Sequence, residues 1–460
     1  MTQTAGESRT EFDAIVVGLG PGGEHVAIKL GEAGWRVLGV EERLVGGECP
    51  YFGCVPSKMM IAAAETLREA GRVNELAGSA TVTRDWAPVA ARIRDEATDD
   101  WDDTVAVKRL EDSGATFVRG SGVLAGNGRV VVDGTTYTAT KGIVINTGTA
   151  PSAPPIPGLA DTPYWTNRDA VQLTELPSTM VVIGGGAIGC ELAQVMALFG
   201  VRVTLVEVAD RLVALEEPEA SEALEKAFAD TGIQVLTGAS IASVAYADGQ
   251  FTLDLGDQEL SAEKLLVAAG RRNNLQGLGL EHVGVDPDVR ILETDERMRV
   301  TDGVWAVGDI VGKGAFTHVS MYQGAVVLND LLERDGPWAD YRGVSRVTFT
   351  APEVASVGLT EHAARESGID VVTATGDLGT RGWLTREDGV IKLVADRGRE
   401  VLVGGVVVAP AGGEIMSLLE VAVHAEVPIK TLLHQHFAYP TYHRAYETVL
   451  KELGAQLGGR

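Results

Sequence analysis

The stretch DAIVVGLGPGGEHVAIKLGEAGWRVLGVEE, residues 13–42, decides the fold of this chain. An apolar strand, 14–17, leads through a glycine-rich turn into a helix-like segment and a second apolar strand, 37–40, which ends at Glu41. The turn has the G-x-G-x-x-G spacing and consists of Gly18, Gly20 and Gly23. Glycines let the backbone approach a pyrophosphate, and a carboxylate after the second strand can accept hydrogen bonds from a ribose diol. The stretch therefore predicts a βαβ unit that binds a dinucleotide.

The pattern recurs in TMVVIGGGAIGCELAQVMALFGVRVTLVEVADR, residues 179–211. The second turn consists of Gly184, Gly186 and Gly189. Glu207 follows Gly184 by 23 residues, and Glu41 follows Gly18 by 23 residues. Two such units in one chain predict two dinucleotides, with electrons passing from one to the other.

The carboxylate at the end of the second unit bears on the choice of coenzyme. Glu207 would repel the 2′-phosphate of NADP, so we expect NADH to be favoured. Arg202 and Arg211 are near in sequence and keep NADPH possible.

Composition narrows the function classes. The chain has 460 residues, about three domains, and a formal net charge of −25, which argues against binding to DNA or to an anionic membrane. No apolar run reaches the length of about 18 residues that predicts a transmembrane helix, and the polar N-terminus is unlike a secretory signal. We therefore expect a cytoplasmic protein with a small-molecule substrate, and neither nucleic acid nor membrane as a partner.

Two of the three cysteines lie close together in VGGECPYFGCVPSKMM, residues 45–60. Cys49 and Cys54 could form a structural disulfide, a metal pair or a redox pair, but zinc lacks a full ligand set here, so no metal is predicted. Residues five apart in a helix are separated by about 7.5 Å along its axis, which is too far for a relaxed disulfide. Gly53 supplies slack, and a strained disulfide is more readily reduced. Cys190, in the second fingerprint, is interpreted as a small buried residue.

Six ordered blocks give the chain a family resemblance: GGECPYFGCVPSK, INTGTAP, VVIGGGAIGCELA, AAGRRNN, AVGDI and TAPEVASVGLTE. From about residue 11 to 455 it resembles the FAD-dependent pyridine nucleotide–disulfide oxidoreductases, the family of lipoamide dehydrogenase, glutathione reductase and mercuric reductase. The resemblance implies an α/β fold with two Rossmann-like dinucleotide-binding domains and a C-terminal α+β dimerisation domain. The implied domains are 1–155 with 273–340 for FAD, 156–272 for NAD(P), and 341–460 for dimerisation.

The resemblance also implies roles for individual residues. The first fingerprint with Glu41 would hold the ADP half of FAD, and the second with Glu207 would hold NAD(P)H. Cys54 would contact the flavin and Cys49 would exchange with the substrate. Lys58 would lie beside the flavin with Glu191 as its ion-pair partner. Outside the fingerprints, the implied cofactor-binding residues are Gly47, Lys58, Thr147, Gly148, Gly270, Gly308 and Asp309.

The C-terminal motif departs from the family pattern. Members that reduce disulfides supply a His and a Glu from the partner subunit of a homodimer, and these residues handle protons for the interchange thiol. Here AYPTYHRAYE has Tyr439 at the His position and Arg444 at the Glu position. A tyrosine with an ordinary pKa of about 10 shuttles protons poorly at neutral pH, so His443 is a candidate replacement base beside Tyr439. Glu48 also departs, because the family usually has Thr before the first cysteine.

These observations leave several functions open. The first is NAD(P)H-dependent reduction of a disulfide or other acceptor through FAD and the Cys49–Cys54 pair. The alternatives are reduction of quinones or dyes, and cleavage of a C–S bond as in the 2-ketopropyl coenzyme M oxidoreductase/carboxylase, which also lacks the dyad. A noncatalytic redox sensor is disfavoured because Lys58 and Glu191 would be unnecessary for binding alone.

Overall fold

The structure is a computed structural model that describes residues 10–458. The strands, in chain order, are β1 (Glu11–Val17), β2 (Val37–Glu41), β3 (Thr116–Arg119), β4 (Gly122–Leu124), β5 (Arg129–Val132), β6 (Thr135–Ile145), β7 (Thr149–Pro151), β8 (Thr179–Ile183), β9 (Arg202–Val206), β10 (Gln234–Leu236), β11 (Ser243–Ala247), β12 (Gln250–Asp254), β13 (Glu259–Ala262), β14 (Lys264–Val267), β15 (Arg271–Asn273), β16 (Arg299–Thr301), β17 (Val304–Ala306), β18 (Ser345–Thr348), β19 (Glu353–Gly358), β20 (Val371–Asp377), β21 (Val390–Asp396) and β22 (Val401–Ala409).

The α-helices are α1 (Pro21–Glu32), α2 (Glu48–Tyr51), α3 (Cys54–Leu76), α4 (Ala87–Arg92), α5 (Thr104–Asp112), α6 (Asn167–Ala170), α7 (Ala187–Leu198), α8 (Pro218–Asp230), α9 (Thr317–Leu331), α10 (Glu361–Glu366), α11 (Gly379–Thr385), α12 (Gly412–Ile415), α13 (Ser417–His424), α14 (Ile429–Leu433) and α15 (Ala445–Gln456).

The chain divides into two compact units. The first contains the described residues up to Pro56, then Arg94–Ala150 and Arg271–Asp340. The second contains Ser57–Ile93, Pro151–Gly270 and the described residues from Tyr341 onward. The three-domain boundaries given above stay a prediction.

An eight-stranded sheet organises the first unit. Its main path runs β16-β17-β6-β1-β2-β3, and β5 and β4 extend it from β6. The central strands are parallel, with Val17 opposite Val40 on one side and Ile145 on the other. Ile15 and Val144 are fully buried, as expected for a parallel sheet covered on both faces. This pairing brings the carboxyl ends of β1, β2, β6 and β17 to one edge.

Three sheets form the second unit. The order β10-β9-β8-β14 is a parallel sheet that repeats the βαβ arrangement of the first unit, and β11-β12-β13 is an antiparallel sheet. The C-terminal part is the antiparallel order β18-β19-β22-β21-β20, with α13, α14 and α15 contributing to its core. Each predicted glycine-rich turn follows a central strand, β1 or β8, that pairs in parallel with both of its neighbours.

A buried cation fixes the start of α8 to the C-terminal sheet within the second unit. The Lys392 side chain on β21 is 5% exposed, and its Nζ lies 2.9 Å from carboxylate oxygens of Glu217, Glu219 and Glu361. Burial opposes the positive charge of Lys392, but hydrogen bonds to the three carboxylates outweigh burial and raise its pKa above the usual value.

Replacing this lysine tests the importance of the charge cluster. Lys392→Met would leave buried Glu217 without its cation, so we expect a loss of about 3 kcal/mol in the free energy of unfolding, measured by urea titration. Lys226→Met is the matched control, because Lys226 pairs with Asp388 in solvent and its loss should change stability little. Equal, small losses for both variants would contradict this account.

Candidate active site

The first glycine-rich turn is shaped by close backbone contact. Gly18, immediately after β1, has a φ of +88°, and a Cβ added there would lie 2.3 Å from the carbonyl oxygen of Asn146. Only glycine tolerates this contact and this dihedral angle. Gly20 is the N-cap of α1 and Gly23 lies in its first turn. The backbone N–H groups at the start of α1 therefore lie at the carboxyl edge of the sheet.

Asn146, which the sequence analysis missed, joins three elements at this edge. Its Oδ1 accepts a hydrogen bond of 2.9 Å from the N–H of Gly23, and its Nδ2 donates one of 2.8 Å to the carbonyl of Val307. The residue is 6% exposed. A buried amide at the end of an apolar strand is a signal that could have identified it, because such groups are almost always hydrogen-bonded.

Glu41 is fixed where the sequence predicts a ribose-binding carboxylate. Its Oε2 accepts a hydrogen bond of 2.8 Å from Leu19 N–H and its Oε1 accepts one of 2.7 Å from Arg43 N–H. Burial raises the pKa of Glu41 above its usual value, although the two backbone hydrogen bonds act in the opposite direction. The two backbone hydrogen bonds hold the carboxylate beside the glycine-rich turn.

The remaining residues predicted at the first site fit FAD. Thr147 Oγ1 is buried and, among residues 10–458, has no hydrogen-bond partner, which fits a site completed by a ligand. Gly148 follows it, with open space where a Cβ would be. Asp309 accepts a hydrogen bond of 2.6 Å from the Thr149 hydroxyl. Gly47 is the N-cap of α2, and Gly308 is the N-cap of the turn that begins at Asp309.

Cys49 and Cys54 are both thiols in the structure, and they lie next to each other. Cys49 is on α2, whereas Cys54 is the first residue of α3. The hydrogen bond with the Cys54 side chain, followed by burial, raises the pKa of the Cys49 thiol well above its usual value. Gly53 separates the two helices, and a Cβ at this position would lie 3.1 Å from the carbonyl oxygen of Glu48. The turn therefore leaves little room for a side chain at this position.

Thr317 contacts both thiols and was not identified from the sequence. Its Oγ1 is 3.7 Å from Cys54 Sγ, and its hydrogen bond to Cys49 acts to lower the pKa of that thiol. Thr317 is the first residue of α9, a helix of 15 residues whose N-terminus favours a nearby negative charge. The block AFTHVS gave no chemical signal, because a threonine near a helix start usually serves only as a cap.

Lys58 and Glu191 form the predicted ion pair in the second unit. Lys58 Nζ lies 2.8 Å from Glu191 Oε2 and 4.6 Å from the centre of the Phe349 ring. The other carboxylate oxygen, Oε1, accepts a hydrogen bond of 2.8 Å from Phe349 N–H. Since the Glu191 side chain is 7% exposed, the position of the ammonium group is fixed by a buried partner.

The second glycine-rich turn repeats the geometry of the first. Gly184 has a φ of +110°, and a Cβ there would lie 2.5 Å from the carbonyl oxygen of Ala268. Glu207 accepts hydrogen bonds from the N–H groups of Gly185 and Ala209. The other predicted residues occupy the N-cap of α7, its first turn and the segment between β14 and β15: Gly186, Gly189 and Gly270. The arrangement fits a second dinucleotide.

Cys190 does not join the thiol pair. It is fully buried on α7, and its Sγ donates a hydrogen bond of 3.3 Å to the carbonyl of Gly185. Burial raises the pKa of this thiol above its usual value. The geometry therefore fits a structural, unreactive cysteine.

The three residues of the C-terminal motif, Tyr439, His443 and Arg444, differ in their exposure and in their contacts. Tyr439 is 66% exposed, and the Arg444 guanidinium lies 5.3 Å from its ring centre. Arg444 forms an ion pair of 2.8 Å with Glu447 and donates to the carbonyl of Phe437. His443 packs with its ring 5.8 Å from the ring of Phe437. Within residues 10–458, no carboxylate forms an ion pair with His443.

Residues 10–458 contain neither a group of side chains suited to a metal ion nor a membrane-spanning helix. Between residues 10 and 458, no three His, Cys, Asp or Glu side chains are grouped so that they could bind a metal ion. Over the same residues, no helix has both the length and the apolar composition needed to span a bilayer.

Comparison with known proteins agrees with this geometry. The family model described as pyridine nucleotide-disulphide oxidoreductase matches residues 12–324, and the dimerisation-domain model of the same family matches residues 344–450. The chain is 34% identical to a mercuric reductase from Streptomyces lividans, covering 95% of this chain and 94% of the relative. It is 32% identical to a dihydrolipoyl dehydrogenase from Chlorobaculum tepidum, covering 95% and 96%.

A solved structure gives the same result. The HOCl-induced flavoprotein disulfide reductase RclA from Escherichia coli superposes with a TM-score of 0.83 at 25% identity, covering 95% of this chain and 99% of that one. The predicted family and fold class are confirmed, together with FAD and NAD(P)H as cofactors. The chain therefore belongs to the pyridine nucleotide-disulphide oxidoreductase family and is an FAD-dependent oxidoreductase.

Proposed function

We propose that the protein oxidises NAD(P)H and delivers the electron pair to Cys49 and Cys54, and that Cys49 then reduces a disulfide or another acceptor. The observation that carries this proposal is the contact of the two thiols with each other and with Thr317. FAD, when bound, would supply the two-electron redox chemistry that amino-acid side chains lack.

Three side chains of the protein would have separate roles in this reaction. Cys54 begins a helix of 23 residues, where the N-terminal dipole favours a thiolate, so it is suited to hold the negative charge of the reduced pair. Lys58, held by Glu191, would supply a fixed positive charge near the cofactor, which stabilises negative charge that develops there. Cys49 would exchange with the acceptor.

The missing dyad narrows the class of acceptor. Arg444, at the position of the family's Glu, forms an ion pair with Glu447, while Tyr439 is exposed and is a candidate contact for the acceptor. His443 packs against Phe437, and its service as a replacement base stays a prediction. We therefore propose an acceptor that the thiol pair can reduce without proton transfer from an imidazole.

A thiophilic cation is a specific second candidate. Two relatives at 32% and 34% identity are named mercuric reductase. Reduction of Hg(II) to Hg(0) takes up two electrons and no proton, so the absence of the dyad would not impede it. Thiolates such as Cys49 and Cys54 are the ligands that soft metal ions prefer.

A homodimer would complete the protein. The dimerisation-domain model covers residues 344–450. Trp383 and Val421 lie in this region and are 77% and 64% exposed in the single chain. A second copy of the chain is the partner that these surfaces fit, and a cytoplasmic location stays a prediction.

Substitution of the exchange thiol tests the proposed route. Cys49→Ser should lower disulfide or Hg(II) reduction at least about a hundredfold, because the nucleophile is lost, while reduction of a small quinone should survive within about twofold. Steady-state oxidation of NADH with each acceptor measures both activities in the same preparation, so the quinone serves as the internal control. Equal loss of both activities would contradict the proposed role of Cys49.

We also propose NADH as the preferred coenzyme. Glu207 is fixed by two backbone N–H groups at the end of β9, in the position for a ribose diol. Arg211 donates instead to the Ser221 hydroxyl at 2.9 Å and to the Ala214 carbonyl at 2.7 Å. Its guanidinium group is therefore already hydrogen-bonded within the protein.

Neutralising the acid tests this preference. Glu207→Gln should raise kcat/KM for NADPH relative to NADH by about tenfold, because repulsion between a carboxylate and the 2′-phosphate is removed. Glu222→Gln, at an exposed position of α8, is the control and should leave the ratio unchanged. A ratio in Glu207→Gln equal to that of the control would overturn the assignment.

A further inference from the structure

Gln194 is a buried amide on α7 to which the proposed reaction gives no role. It is 4% exposed and lies three residues after Glu191 on the same helix. Its Nε2 donates a hydrogen bond of 2.8 Å to the carbonyl of Ala351, and its Oε1 accepts one of 2.6 Å from the N–H of the same residue. The side chain of glutamine carries both a donor and an acceptor, whereas a carboxylate or an apolar side chain cannot make this double contact.

The segment that Gln194 holds also contacts the Lys58–Glu191 ion pair. Glu191 Oε1 accepts a hydrogen bond of 2.8 Å from the N–H of Phe349, and its Oε2 lies 2.8 Å from Lys58 Nζ. The Phe349 ring centre is 4.6 Å from the same Nζ. The ammonium group therefore contacts a carboxylate and a ring, and both are attached to the chain just before Ala351. All five residues belong to the second compact unit.

Residues 349–352 depend on these side-chain contacts for their position. They lie between the end of β18 and the start of β19, outside the hydrogen-bonded ladder of the sheet. Residues three apart in a helix share one face, so Glu191 and Gln194 bind Phe349 and Ala351 from the same side of α7. Loss of the Gln194 amide would leave the N–H and the carbonyl of Ala351 without these partners, and the segment would have to shift to regain them.

We propose that Gln194 is a positioning residue for the Lys58 ammonium group. By holding Ala351 it fixes Phe349, whose N–H orients the Glu191 carboxylate and whose ring lies against Lys58. A charge that is held in place before the reaction stabilises developing opposite charge without the cost of reorganisation. This inference rests on the proposed place of Lys58 near FAD, and it extends that role to a residue that contacts neither the cofactor's fingerprint nor the thiols.

The redox equilibrium of bound FAD tests this inference. The background is the holoenzyme with Cys49→Ser and Cys54→Ser, so that FAD is the one group that takes up two electrons. The protein is reduced anaerobically beside a dye of known potential, and absorbance gives both reduced fractions. In Gln194→Met the equilibrium should move about threefold or more toward oxidised FAD, because a displaced ammonium stabilises the negative charge of reduced FAD less. Lys58→Met removes the cation, so we expect a shift of about tenfold.

A matched control separates positioning from stability. The Tyr446 hydroxyl is buried and donates a hydrogen bond of 3.1 Å to the carbonyl of Ile415, so Tyr446→Phe also removes a side chain's hydrogen bond to the backbone. It should lower the Tm and leave the FAD equilibrium unchanged. If Gln194→Met does not retain FAD, Gln194→Leu is the second apolar variant, with the same shift expected.

The variants also separate this inference from the proposed function. A shift in Lys58→Met together with no shift in Gln194→Met, beyond that of Tyr446→Phe, overturns the inference and leaves the proposed role of Lys58 intact. No shift in Lys58→Met contradicts that role and overturns the inference with it. Shifts in both, with the Tyr446→Phe equilibrium unchanged, support the positioning role of Gln194.

Discussion

The buried side chain of Asn146 is the interaction on which the first unit's site depends. It accepts from the N–H of Gly23 on α1 and donates to the carbonyl of Val307, so it joins the glycine turn to the end of β17. Gly308 and Asp309 follow directly, and Asp309 anchors Thr149. One amide thus joins the glycine-rich turn to the segment that leads into Asp309. Replacement of this amide by an apolar group would leave two buried backbone groups without partners.

The two nucleotide sites use the same physical device. In each, a carboxylate at the end of the second strand accepts hydrogen bonds from the residue after the first glycine and from the residue two positions beyond the acid. Glu41 and Glu207 are therefore held by backbone rather than by side-chain partners, which makes their positions insensitive to surface substitutions. Two acids held in this way suit a protein that binds two dinucleotides in defined orientations.

Much of this architecture is predictable from the sequence because glycine spacing and strand hydrophobicity are local signals. The β1 and β2 strands, both glycine turns and both terminal acids are where the pattern indicates, and the Lys58–Glu191 pair follows from the resemblance. Thr317 and Asn146 were not identified as site residues, because each acts through partners distant in sequence. Thr317 is 263 residues from Cys54, and Asn146 is 123 residues from Gly23. Such contacts arise from strand order, which no local pattern encodes.

The central claim is that electrons from a nicotinamide coenzyme reach the sulfur of Cys49 and Cys54. The most direct measurement is anaerobic addition of NADH to the oxidised holoenzyme, followed by trapping of thiols and peptide mass spectrometry. The account predicts that each NADH consumed reduces one Cys49–Cys54 disulfide and so yields two labelled cysteines. Cys190 should stay unlabelled in the folded protein. NADH oxidation with no gain of label at Cys49 and Cys54 would contradict it.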